Sequence, residues 1–199
     1  MRNNLKNAPK VLGLDISTKT IGWSLFDTQT QKLLELTHVS PVIKPKPEDK
    51  IEELLGKVDA FEEKLRDYKD IGITKVVIEE PLLNSNNVWT VGTLLRYNSM
   101  ITKSIYDILG IVPNYISTYN SRKFAWPELV QENNKGKRVL FGGMPKDIDK
   151  KEVVWQKVSQ AEPQIVWLYT RNNTLKKECF DQADAYTCVQ GYMRQQGLW

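Results

Sequence analysis

The chain has 199 residues, the size of one ordinary domain with room for a proper hydrophobic core. Its hydrophobic fraction of 41% excludes wholesale disorder, and no apolar run approaches the roughly 20 residues needed to cross a bilayer. The formal net charge of +4 names no partner by itself, but if several acids gather in one place, the remaining surface is dominated by Lys and Arg and suits a polyanion.

Residues 1–9 read as a short basic arm, because the start of the chain lacks the apolar core of a secretory signal. Residues 10–199 are expected to form a single domain. Residues 10–16 read as a buried strand, Thr20 to Phe26 alternates like a second, and the polar Ser17-Thr18-Lys19 joins them into a hairpin. A third strand from about Lys32 to Val39 completes an antiparallel meander, and the prolines between Pro41 and Pro47 mark a connector. From Glu48 to Tyr68 the residues Ile51, Leu54, Leu55, Val58, Phe61, Leu65 and Tyr68 recur at three- and four-residue steps, the signature of an amphipathic helix. Thr74–Glu79 reads as a fourth strand that Pro81 stops. A helix from Val88 to Leu109 follows, with Val91, Leu94, Leu95, Ile101, Ile105 and Ile108 expected to face inward, and then a fifth strand, Val112–Ser117.

Residues 131–150 combine Asn133-Asn134, Gly136 and Gly142-Gly143 with Lys135, Lys137, Arg138, Lys146 and Lys150, and read as a mobile, basic, Gly-rich loop. Two helices close the chain, Lys151 to about Gln160 and about Glu178 to Arg194. The order βββ-α-β-α-β-α-α is that of an RNase H-like α/β domain, a mixed five-stranded sheet with a three-strand antiparallel meander, two parallel strands and flanking helices. The two cysteines, Cys179 and Cys188, lack metal-ligand spacing and stand apart on the last helix. Reduced thiols and a cytoplasmic setting, bacterial or in a phage-infected cell, are expected. His38, the sole histidine, ends a strand and has no partner for histidine-based catalysis, so a structural role is expected.

Four acids carry the chemistry. Asp15 closes the apolar run Val11-Leu12-Gly13-Leu14, Glu79 closes Val76-Val77-Ile78, and Asp181 and Asp184 lie three apart on the last helix. Taken singly, each has a plain structural explanation: a turn or cap residue for Asp15, a solvated strand end for Glu79-Glu80, a solvent face or helix cap for the last two. Taken together in this topology, the first and fourth strands are central neighbours, and Asp181 and Asp184 share one helix face with Cβ atoms about 5–6 Å apart. Packed on the sheet, that face makes a bowl of four acids, whose mutual repulsion raises their pKa values and whose usual compensation is a divalent cation. Two-metal phosphodiester cleavage needs cations about 3.5–4 Å apart. Strand alternation sends Glu79 and Glu80 to opposite faces, and the pattern alone does not choose between them.

These residues resemble the RuvC family of Holliday junction resolvases. Val11 to Trp23 is similar to that family's first strand and hairpin, Val77-Ile78-Glu79 to the strand bearing its catalytic Glu, and Asp181-Gln182-Ala183-Asp184-Ala185 to its closing helix. The resemblance selects Glu79. It implies a homodimeric endonuclease that binds four-way DNA junctions and nicks two strands of like polarity, leaving 5′-phosphates and 3′-hydroxyls. It also implies Asp15, Glu79, Asp181 and Asp184 as catalytic and metal-binding residues, with two Mg²⁺ ions per site and Mn²⁺ able to substitute. Lys151, or Lys150, matches the Lys that opens the family's penultimate helix, and Arg122 or Lys123 a basic residue after the fifth strand. These are the expected DNA contacts, together with Leu82 as an apolar wedge. Neither a membrane nor a nucleotide cofactor is implied.

Three features depart from the family pattern: Ser17 replaces a Gly, Leu82-Leu83 replaces an aromatic wedge, and residues 124–149 are longer than usual. The long basic segment suggests a DNA-contacting loop, and among the six tryptophans Trp89 and Trp126 are candidates for base stacking. Other functions stay open: a broader nuclease of flaps and forks, a phosphotransferase or ATPase on the same fold, or a DNA-binding protein without catalysis.

Overall fold

The structure, a computed structural model, describes residues 8–81, 87–145 and 147–199. Strand β1 (Lys10–Ile16) pairs antiparallel with β2 (Ile21–Asp27) and parallel with β4 (Ile73–Glu79). Strand β3 (Leu33–Val39) lies outside β2, and β5 (Asn114–Ile116) outside β4, giving the order β3-β2-β1-β4-β5. The central strands are buried on both faces, which is why their sequences are nearly continuous apolar runs. The expected mixed sheet with flanking helices is the observed one.

Alternation assigns each face. Leu12, Leu14, Val76 and Ile78 pack with Trp23 against Leu54, Phe61 and Leu65 of helix α1 (Lys50–Arg66) and Ile101 and Ile105 of α2 (Val88–Leu109). Val11 and Val77 point the other way, into a core built on Ala183, Tyr186 and Val189 of α5 (Glu178–Gln195). Asp15 and Glu79 therefore inherit the α5 face. Helix α5 can lie so close because β1 and β2 carry glycine there: a Cβ on Gly22 would overlap the Asp181 carbonyl.

Several expectations need correction. Ile51, Leu55 and Leu95 are exposed rather than inward, since each lies at the margin of its apolar stripe. The connection after β5 holds a helix that the periodicity did not reveal, α3 (Thr118–Ala125), only eight residues long. Residues 131–150 are not one open loop. Short strands β6 (Val130–Glu132) and β7 (Arg138–Leu140) pair into a hairpin, closed by Asn133, whose side chain accepts from the Lys135 and Lys137 amides. Strands of three residues are too brief for alternation to show. Phe141 then returns to the core. Helix α4 (Lys150–Ala161) is capped by Asp149, and α5 follows an extended segment. Both cysteines are buried and free. Among the described residues no helix is long and apolar enough to cross a membrane.

Candidate active site

The register that sets Leu14 beside Ile78 carries Asp15 alongside Glu79 at the ends of parallel neighbours β1 and β4. Across from them, the first turns of α5 present Asp181 and Asp184. All four acids line one cleft of ≈ 300 Å³, together with Ser17, Glu80, Thr118, Arg122 and Lys151. The two adjacent glutamates differ in burial: Glu79 is buried on the α5 side, while Glu80 is exposed at the rim.

Two side-chain cations reach into the acids. Arg122 Nη2 donates to Asp184 Oδ1 across 3.0 Å, from a guanidinium nearly as buried as its partner. Lys151, half-exposed in the first turn of α4, lies 3.4 Å from Asp181 Oδ1 and 3.5 Å from Asp184 Oδ2. Thr118, which opens α3, donates its hydroxyl to Glu79 Oε1. Among the described residues nothing hydrogen-bonds to the other oxygen, Glu79 Oε2, which is buried.

Burial dominates the electrostatics. It pushes Asp15 well above the ordinary carboxylate range, and repulsion from Glu79, Asp184 and Asp181 adds to it, with Lys151 opposing. Glu79 is raised to about 7 by burial and by Asp184, although the Thr118 bond, Arg122 and Lys151 pull the other way. Asp181 is raised by burial against the pull of Lys151. Burial disfavours the Lys151 charge, yet Asp184, Asp15 and Asp181 outweigh it and raise the ammonium's pKa. Desolvated acids of this kind are candidates for function rather than for stability.

The donor set suits a hard divalent cation: every acid side chain offers oxygen, and Glu79 Oε2 lacks a partner. Among the described residues no three Asp, Glu, His or Cys side chains form a ready-made metal cage. Arg122 and Lys151 stand against the same oxygens that such a cage would use.

The remaining sequence candidates scatter. Lys123 leaves the cleft and lies over the rings of Tyr119 and Phe124, on a groove shared with Val130 and Arg138. Lys150 is exposed and sits over Phe141. Arg122, one of the expected DNA contacts, lines the cleft and donates to Asp184. Leu82 and Leu83, the expected wedge, lie outside the described residues, as do residues 1–7 of the expected arm. Trp126 is no stacking platform: it is buried, lies parallel to Tyr186, and donates from Nε1 to Thr187 Oγ1 at 3.2 Å. Trp89 is 84% exposed on the first turn of α2. His38 exchanges a 3.0 Å hydrogen bond with Gln182. Ser17 accounts for the missing glycine, since its hydroxyl donates to the Thr20 carbonyl and accepts the Thr20 amide, closing the β1–β2 turn. Thr118 escaped the sequence reading altogether, because a threonine after a strand carries no distinguishing signal.

A second hollow of ≈ 500 Å³ continues from Lys151 and Asp181 past Lys19, Thr20, Lys177 and Phe180. The cleft thus opens onto a trough in which Lys19, Lys151 and Lys177 alternate with Asp149, Glu178 and Asp181.

The fold is shared with the RuvC structure of Thermus thermophilus in complex with Holliday junction substrate, with TM-score 0.59 and 11% identity over 94% of this chain and 95% of that one. A second Thermus thermophilus RuvC structure matches with TM-score 0.56 and 14% identity, over 94% and 96% respectively. Comparison of the sequence itself matches no family model and no curated protein.

Proposed function

We propose that this protein is a metal-dependent DNA endonuclease of the Holliday-junction-resolving type, acting as a homodimer. The observation that carries the reading is the convergence of Asp15, Glu79, Asp181 and Asp184 with Lys151 in one cleft. The near full-length correspondence with a RuvC fold solved on a Holliday junction supports it. A two-fold dimer would offer two such clefts to a two-fold junction, which suits paired incision.

The four acids would hold the divalent cation, Mg²⁺ or Mn²⁺, whose chemistry is to acidify a bound water and to stabilise charge on phosphate oxygens. The protein's own groups do the rest. Burial and mutual repulsion oppose the ionisation of Asp15 and Glu79, and a cation between them would relieve both. Thr118 fixes one oxygen of Glu79 and leaves Oε2 for ligation. Lys151, the exposed cation of the pair, can exchange its carboxylate partners for a phosphate oxygen of the strand. Lys19 and Lys177 border the trough along which that strand would continue.

A synthetic immobile junction incubated with Mg²⁺ tests the reading. The wild type is expected to make paired nicks. Asp15→Asn and Asp184→Asn are expected to bind the junction but lose about a thousandfold or more in cutting, the equivalent of several kcal/mol of transition-state stabilisation. Undiminished cutting by Asp15→Asn would refute it. A second reading, a broader nuclease of flaps and forks, is favoured by the aliphatic Leu82-Leu83 where a junction-parting aromatic is expected. Equal rates on flaps and four-way junctions at one salt concentration would select it.

A further inference from the structure

We infer that Lys57, paired with Glu53, is a positioning residue for the substrate: it anchors the β1–β2 turn so that Lys19 stands in the trough within reach of a phosphate of the DNA strand. This rests on the nuclease reading and adds to it a residue that touches neither the four acids nor the strand.

The first observation is where the charges lie. Glu53 and Lys57 are four residues apart on α1, a spacing that ordinarily gives a solvated pair of little energetic weight. Here Lys57 is 8% and Glu53 9% exposed, beside the apolar stripe of Leu54, Val58 and Phe61. Lys57 Nζ lies 2.5 Å from Glu53 Oε1, and Lys50 Nζ lies 2.8 Å from Oε2. Hydrogen bonds from Lys50 and Lys57 hold the Glu53 carboxyl down to about 2, against the effect of burial. A buried ion pair is often no more stable than apolar side chains of similar volume, and the stripe already seats α1 on the sheet. Stability alone does not account for the pair.

The second is what the ammonium reaches. Lys57 Nζ donates to the Thr18 carbonyl at 2.9 Å, across 39 positions of sequence. The turn that holds Thr18 is already closed by its own residues. The Ser17 amide and hydroxyl both donate to the Thr20 carbonyl, and that hydroxyl accepts the Thr20 amide. Lys57 therefore sets the placement of the turn rather than its shape.

The third is what the turn carries. Ser17 lines both the cleft and the trough, and the exposed Lys19 lines the trough with Lys151 and Asp181. Helix α1 packs on the sheet face opposite α5, so Lys57 secures the turn from behind the acids. Because the trough also carries Asp149, Glu178 and Asp181, its pull on a phosphate depends on where each lysine stands rather than on their number.

The test reads binding, so it does not depend on cutting. Affinity of the full chain for a synthetic junction is measured by fluorescence anisotropy across a salt series without divalent ions, with melting curves to confirm folding. Lys19→Ala should weaken binding about three- to tenfold and reduce the salt slope by about 1. Lys57→Met should do the same, and the two combined should lose no more than either alone. Glu53→Leu with Lys57→Met replaces the pair by apolar side chains at unchanged net charge, which keeps the question answerable if Lys57→Met does not fold. It too should show the reduced slope. A wild-type slope in that folded double variant, additive losses for Lys19→Ala and Lys57→Met, or an unaltered slope in Lys19→Ala would overturn the inference and leave the nuclease reading standing. A wild type that binds no junction would overturn both.

Discussion

Arg122 and Asp184, 62 positions apart in sequence, form an ion pair at 3.0 Å with almost no solvent around either side chain. The pair joins α3 to α5 at the floor of the acid cleft, so the group that orients one of the four acids is itself part of the core. Removing one partner of a buried pair leaves an uncompensated charge, at a cost of about 3–5 kcal/mol. Arg122→Ala should therefore lower metal-free stability by about that amount in urea denaturation. A loss under about 1 kcal/mol would place the pair among surface-type contacts.

Glu79 makes the metal-free protein pH-sensitive. Its folded-state pKa of about 7 lies above the ordinary 4.5. The stability this group contributes is thus fully present below about pH 4.5 and is lost as pH rises through 7. With EDTA present at pH 8, Glu79→Gln should be more stable than wild type by up to about 3 kcal/mol. The difference should shrink towards pH 5. Adding Mn²⁺ at pH 8 should raise the melting temperature of the wild type and leave that of Glu79→Gln nearly unchanged. Melting curves of the two proteins that coincide at both pH values would contradict the assignment.

The groove beside α3 should govern affinity rather than cutting. Lys123 and Arg138 border it with Tyr119 and Phe124. Each cation taken away from a DNA phosphate should reduce the salt slope of binding by about 1. Lys123→Ala with Arg138→Ala should weaken junction binding and flatten its dependence on salt, with the cleavage rate at saturating protein within about twofold of wild type. Fluorescence anisotropy across a salt series measures the slope. An unchanged slope would remove the groove from the DNA path.

Trp89 offers a sharper local test. It is exposed on the first turn of α2, shortly after the segment that carries Leu82 and Leu83. Base stacking on such a ring contributes about 1–3 kcal/mol. Trp89→Ala should weaken junction binding by that amount with thermal stability essentially unchanged. Equal affinities would assign Trp89 to another surface.

Glycine substitutions should separate a spacing role from helix propensity. A Cβ on Gly22 would meet the backbone of Asp181, which cannot rotate away, whereas among the described residues nothing lies within 4 Å of a Cβ on Gly92 in α2. Gly22→Ala should cost about 1–3 kcal/mol and lower cutting by displacing Asp181. Gly92→Ala should gain about 0.5–1 kcal/mol. Equal effects at the two positions would mean that α5 does not depend on the glycine contact with β2.

Much of this protein follows from local pattern. The long helices and central strands announce themselves by period, with the expected Val88–Leu109 helix matching the observed one. The four acids stand at strand ends and on a helix where hydrophobic patterning alone makes them conspicuous. What escaped the pattern is short or non-local. Strands β6 and β7 are too brief to show a period, helix α3 is only eight residues long, and Thr118 and Arg122 gain meaning only from partners 39 and 62 positions away.

The amino-acid order by itself determined the layered α/β architecture and which carboxylates could meet, because alternation and helical period are read over neighbouring residues. Only the tertiary structure decided that Glu79 is buried at the cleft while Glu80 stays exposed at its rim, that Trp126 is sealed in the core, and that Arg122 turns inward to Asp184. Those outcomes depend on which faces pack together and how much water each side chain loses. Such quantities belong to the assembled interior and not to any stretch of chain.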